Sequence, residues 1–166
     1  TRSSLAEAQA QGADVRIVYS PLDALAIAAD NPAKQVVFLA VGFETTAPTE
    51  AAAVLAAQAQ SLRNFFLLSA QKLVPPVMCA LLDGGETHVD GFLLPGHVSV
   101  VTGTEGFDFL ARDYSVPGVV GGFQPLEILR AVDLLVRQIA AGEARIENAY
   151  ESVVRREGNP AARAAI

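Results

Sequence analysis

The sequence predicts an α/β fold, a three-layer α/β/α arrangement on a mainly parallel, Rossmann-like sheet of about five strands. Short apolar runs alternate with helical patterns, glycines and prolines stand at the junctions, and no linker or low-complexity stretch interrupts the 166 residues. That length suits one domain with a real core, so a single α/β domain over residues 1–166 is expected. Strands that alternate with helices imply right-handed crossovers and a sheet covered on both faces.

Five apolar runs read as buried strands: Val15–Tyr19, Gln35–Val41, Phe65–Ser69, Gly91–Leu94 and Gly118–Gly121. The chain reads as polar and helical from Thr1. Ser20-Pro21-Leu22-Asp23 supplies an N-cap, a proline in the first turn and an acid at N3, opening a helix that stops at Asn31-Pro32. Pro48 opens an alanine-rich helix reaching Leu62. Pro75-Pro76 opens another to Leu82, ended by Asp83-Gly84-Gly85. Thr102 and Glu105 have the spacing of a capping box for the helical pattern through Tyr114. Pro125 opens a long amphipathic helix, LEILRAVDLLVRQIAAG, and a last helix is expected over Arg145–Glu157, followed by an irregular tail after Gly158-Asn159-Pro160.

Composition excludes several classes. With 51% apolar and 18% charged residues the chain is not disordered, and no apolar run reaches the roughly 18 residues of a membrane span. The net charge is −6 and the twelve Lys and Arg are scattered, so no basic patch points to nucleic acid or to an anionic membrane surface. A single cysteine, Cys79, allows neither an internal disulfide nor a cysteine cage for metal, and the start carries no signal segment; a cytoplasmic location is expected. There is no G-x-G-x-x-G after a strand, no P-loop, no G-x-S-x-G, no H-E-x-x-H and no C-x-x-C. No common enzyme signature survives; whether the chain is an enzyme stays open, the expectation being no independent catalytic activity and no catalytic residue.

The candidate site is a crevice. In open parallel sheets ligands bind beyond the carboxyl ends of the strands, where loops run into helix N-termini. Three stretches stand there: Gly42–Pro48, Pro95–Gly103 and Gly121–Pro125, each read as a loop. The first and third echo one another as Gly-Phe-(Glu or Gln), a proline and a helix. Glycine lets backbone approach a guest, helix starts favour anions and hydroxyls add donors, so an anionic or strongly accepting guest is implied. Local roles compete with that reading. Thr45 and Thr46 can cap the helix at Pro48, Glu44 can be a solvated carboxylate or a dipole partner, and His97 can be a local hydrogen-bonding group. His88 reads as solvated and Cys79 as a small apolar core residue. Phe65-Phe66-Leu67-Leu68 reads as core strand, with Phe43 and Phe123 seating the loop bases against the sheet.

GFETTAP, LVPP with the following Met78 and ALL, DGFLLPGHVSVVTG and GFQPLEIL, in this order, resemble the central part of the HypD family of NiFe-hydrogenase maturation proteins. ADVRIVYSPLDALAIA and IENAYESVVRREGNPAA fit it too, so the resemblance covers nearly the whole chain. It implies a scaffold on which an iron centre with two cyanides and one carbon monoxide, Fe(CN)2CO, is assembled. A HypC-like chaperone shares that complex and a HypE-like protein donates cyanide. The crevice positions carried over are Glu44, Thr45, Thr46, His97 and Ser99, with Gly42, Phe43, Pro95, Gly96 and Gln124 beside them. The family's iron-liganding cysteine, its Gly-Pro-x-Cys-Pro-Val-Cys motif and its cysteine set for a 4Fe-4S cluster have no counterpart here, so no cofactor is expected in this chain alone. Gln124 stands where the family has Glu and Gln71 where it has His. The chain is expected to be a fragment or a shortened relative whose other partners are the missing domains. Two other readings stay open from the residues: a small-molecule α/β enzyme with Glu44 and His97 as an acid/base pair, and a non-catalytic interaction module.

Overall fold

The computed structural model describes residues 4–85 and 88–166. In chain order its elements are α1 (Leu5–Ala10), α2 (Pro21–Asp30), β1 (Val36–Ala40), α3 (Ala47–Ala59), β2 (Phe65–Ser69), α4 (Val74–Asp83), β3 (Phe92–Pro95), α5 (Gly96–Thr102), a 3-10 turn at Glu105–Phe107, α6 (Asp108–Tyr114), β4 (Gly118–Gly121), α7 (Pro125–Ala141), β5 (Ile146–Asn148) and α8 (Pro160–Ala165). The expected helical start at Thr1 lies outside the described residues. The fold is α/β with parallel strands, and the chain forms two compact units, one made of residues through Leu39 with Ala53–Leu68, the other of Ala40–Ala52 with Ser69–Ile166. None of the described helices is long and apolar enough to cross a membrane.

In the first unit, Ser20 and Asp23 form the predicted capping box of α2 around Pro21, and α2 buries Ala24, Leu25 and Ala28. Strands β1 and β2 run in the same direction: Val36 N donates to Asn64 O and Ala70 N to Ala40 O, both at 2.8 Å. Asn64 Nδ2 donates to the carbonyls of Ala28, Asn31 and Lys34, which ties the end of α2 to the entry of β1.

The expected strand at Val15–Tyr19 is absent. Residues 13–18 form no ladder with a described strand; Val15 N bonds locally to Ala13 O, and Ile17 and Tyr19 are 81% and 99% exposed. An apolar run becomes a strand only when a neighbour accepts its backbone bonds. Likewise Phe66 and Leu68 of β2 are exposed, so that run is a strand without the two-sided burial expected of it. A cavity of about 830 Å³ in this unit lies between Val15–Val18, α2 and Val36–Leu39.

The second unit carries the sheet β3-β4-β5, parallel throughout, with Leu94 opposite Val120 and Val120 opposite Asn148. Successive residues of β4 face opposite sides. Val120 joins Met78, Leu94, Val98, Phe107, Leu110 and Val154 on one side. Val119 joins Ala131, Leu135 and Ala149 on the other. Within this unit the sheet is thus the middle of three layers. Burial of Phe107 and Leu110, both fully enclosed, stabilises it by about 1.5–3 kcal/mol per side chain.

Two further expectations fail here. The predicted helix over Arg145–Glu157 is instead β5 and a set of turns, because β4 offers an open edge that the short stretch after Gly142 can reach. Gln138, buried on α7, accepts from Arg145 N at 2.9 Å and donates to Glu147 Oε2 at 2.7 Å, seating that strand. The tail after Gly158 is the short α8, capped by Asn159. Thr102 and Glu105 form no capping box: Thr102 closes α5, its hydroxyl donates to Val98 O, and α6 starts without a side-chain cap.

Candidate functional site

All candidate positions fall in the second unit. The polar turn after β1 is stitched to the segment after β2. Lys72 N donates to Gly42 O at 2.9 Å, and Thr46 N and Ala47 N donate to Phe43 O, closing a tight turn before α3. Gly42 has no room for a β-carbon because the Thr46 hydroxyl occupies the space.

Glu44 is 5% exposed, and its Oε1 accepts the Val74 N–H at 2.8 Å. Val74 is the first residue of α4, whose N-cap Leu73 offers no side-chain bond, so Glu44 caps a helix far from it in sequence. Its other oxygen, Oε2, is buried without a partner among the described residues.

Thr46 Oγ1 donates to Phe43 O at 3.1 Å and accepts from Gln71 Nε2 at 3.0 Å. Gln71 Nε2 also lies 2.7 Å from each carboxylate oxygen of Glu50, which is 7% exposed. Neither Gln71 nor Glu50 stands out in the sequence as part of this turn; only folding brings β2's exit against α3. Thr45 is exposed, and its hydroxyl bonds to no described residue.

The stretch Pro95–Gly103, expected as a loop, is helical: α5 begins at Gly96 directly after β3. Gly96 and Ser99 are buried, and Ser99 Oγ donates back to Pro95 O at 3.0 Å, a bond within the helix turn. His97 is exposed, and its ring stacks on Phe123 with centroids 4.0 Å apart and planes 34° from parallel. Phe123 in turn meets Tyr150 edge to face at 6.4 Å. The structure therefore brings the β3 exit and the β4 exit together through aromatic contact.

Phe43 and Phe123 do not seat the loop bases as expected. They are 47% and 54% exposed, and Phe123 packs on the His97 and Tyr150 rings and not into the core clusters. Gln124 is the N-cap residue of α7. Its N–H and that of Phe123 are both taken by Glu127 Oε2, at 3.0 and 2.9 Å. The starts of α4 and α7 are thus each met by one of the chain's own carboxylates. His88 is exposed as read, and Cys79 is half-buried on α4.

Glu44 and His97 share no hydrogen bond, and Glu44 Oε1 is taken by the start of α4. Among the described residues no three His, Cys, Asp or Glu side chains gather as a metal site. A 4Fe-4S cluster takes four thiolates, and one half-buried cysteine does not fit it. Exposed polar side chains at the strand exits include Thr45 after β1, His97 after β3 and Gln124 after β4.

Comparison with known proteins agrees with this arrangement of motifs. The chain is 48% identical over 166 residues to the hydrogenase maturation factor HypD of Rhodobacter capsulatus, covering 100% of the chain and 44% of that protein. It is 46% identical over 165 residues to HypD of Escherichia coli K12, covering 99% of the chain and 44% of the relative. With HypD of Cupriavidus necator the identity is 43% over 169 residues, covering 98% and 45%. The chain spans less than half the length of these curated relatives. The family model HypD, described as the hydrogenase formation hypA family, matches residues 1–166, and the chain belongs to that family.

Proposed function

We propose that this chain supplies one wall of the crevice in which a hydrogenase maturation scaffold holds an Fe(CN)2CO precursor, the cargo of the process. The observation that carries this reading is the exposure of Thr45 and His97 beside strand exits where Thr46 and Ser99 bond within the chain. The iron complex is anionic, and its cyanide nitrogens accept hydrogen bonds; a threonine hydroxyl and an imidazole N–H are suitable donors. The chain contributes to holding the cargo and is not sufficient alone. A HypC-like chaperone and a HypE-like cyanide donor are the partners, together with the remaining parts of a full-length family protein, and the half-exposed Phe43 and Phe123 are suited to protein contact.

The test is His97→Ala and Thr45→Val in a full-length family protein. Each removes one charge-assisted donor, a loss of about 1.5–3 kcal/mol in holding the complex. Thermal melts should stay within a few degrees of wild type, because exposed side chains at these positions add little to the core. Infrared bands of bound cyanide and carbon monoxide should weaken and hydrogenase maturation should fall. Unchanged bands and maturation in both variants would overturn the reading.

A further inference from the structure

The geometry points to Tyr150 as the residue that positions His97, a role that rests on the reading of His97 as a cargo-holding group. Tyr150 follows β5 and is fixed by its backbone. Its N–H donates to Asn148 Oδ1 at 2.9 Å, its carbonyl accepts from Val153 N and Val154 N, and the preceding Ala149 N donates to Val120 O on β4. From there the ring enters between the exits of β3 and β4. A β-carbon built on Gly96 would stand 3.0 Å from Tyr150 Cδ1, and one built on Gly122 would stand 3.0 Å from Tyr150 Cδ2. These are opposite edges of one ring. Gly96 precedes His97, and Gly122 precedes Phe123, so the tyrosine ring lies against the backbones that carry the two side chains stacked at 4.0 Å. The edge-to-face contact of Tyr150 with Phe123 holds the lower ring of that stack.

Tyr150 shares the space the two glycines leave with the Gly121 carbonyl beside Gly96 and the Glu127 carboxylate beside Gly122, and its contact with Phe123 fixes the ring on which the imidazole stands. The phenol oxygen bonds to no described residue, so the ring and not the hydroxyl performs this role. Tyr150 does not stand out in the sequence because its stretch, IENAYES, reads as helix.

The experiment reads the His97 ring directly. The chain has two histidines, so a His88→Asn background leaves one set of imidazole NMR signals. Stacked on Phe123, the His97 ring protons should sit upfield of their free position. Tyr150→Phe should keep that displacement and Tyr150→Ala should abolish most of it. In a full-length family protein, Tyr150→Ala should then lower maturation as His97→Ala does, while Tyr150→Phe leaves it at wild type. If Tyr150→Ala does not fold, Tyr150→Leu decides, since leucine keeps apolar contact without two flat edges; it too should lose the displacement. Retained displacement in the folded Ala or Leu variant, or its loss in Tyr150→Phe, overturns the proposal. Loss of displacement with normal maturation in both His97→Ala and Tyr150→Ala would leave the positioning role standing and sink only the cargo reading.

Discussion

Glu44 Oε1 accepts the backbone N–H of Val74 at 2.8 Å, so the acid of the GFETT turn caps the helix that follows the next strand. The bond joins two crossovers that are 30 residues apart in the chain and orients the start of α4, whose Met78 lies in the main core. Glu44→Ala should destabilise the chain by about 1–3 kcal/mol, because a partly buried helix N–H loses its acceptor. Glu44→Gln keeps an acceptor there and should cost less. Chemical denaturation of both variants checks the order, and equal losses would mean that the cap is worth nothing.

Gln71 is a second joint of the same kind. Removal of its amide in Gln71→Ala leaves Glu50 buried without its donor and should cost about 1–3 kcal/mol. Gln71→Glu should be worse at neutral pH and should regain stability on acidification, since two facing carboxylates are tolerated only when they share a proton. Denaturation midpoints measured between neutral and mildly acidic pH would show the trend, and a pH-independent loss would contradict the geometry.

Backbone packing predicts a contrast between two glycines. Gly103 has φ of 81°, and a β-carbon there would run into the Arg156 carbonyl and the Gly158 amide. Gly142, the left-handed C-cap of α7, has φ of 67° and open space around it. Gly142→Ala should cost about 1–2 kcal/mol, the left-handed penalty alone. Gly103→Ala should cost roughly 3 kcal/mol or more, because overpacking against backbone is added. Thermal melts of the two variants side by side provide the comparison.

Asp14 provides a pH prediction in the first unit. The hydrogen bonds from Arg16 and from Lys34, each at 2.8 Å, hold its carboxyl down to about 2. A folded-state value below the usual carboxylate range means that the pair stabilises the fold above about pH 4, with this contribution lost as pH falls toward 2. Lys34→Ala should move the Asp14 midpoint upward, a shift that carboxyl NMR titration would detect. Because the group is exposed, added salt should reduce the difference.

The parts of this protein legible in its sequence are those that a few neighbouring residues decide. Ser20, Pro21 and Asp23 start α2 as read, Pro125 starts α7, and the runs around Phe38, Phe65, Leu94 and Val120 are strands. Caps and turns act within three or four residues, and the alternation of strand with helix follows from period alone. The GFETT, PGHVS and GFQP motifs are likewise local strings, so the family shows in them directly.

Tertiary structure decided the rest, because a strand or a buried polar group takes its identity from a partner elsewhere in the chain. Val15–Tyr19 has the apolar composition of a strand and no ladder, while Ile146–Asn148 reads as helix and pairs with β4. The same physics sends Glu44 to Val74, Thr46 to Gln71 and the Tyr150 ring between Gly96 and Gly122. The sequence determined which residues stand at the strand exits; only folding decided which of them bond to the chain itself and which stay exposed, since hydrogen bonds and close contacts are satisfied in space and not along the chain.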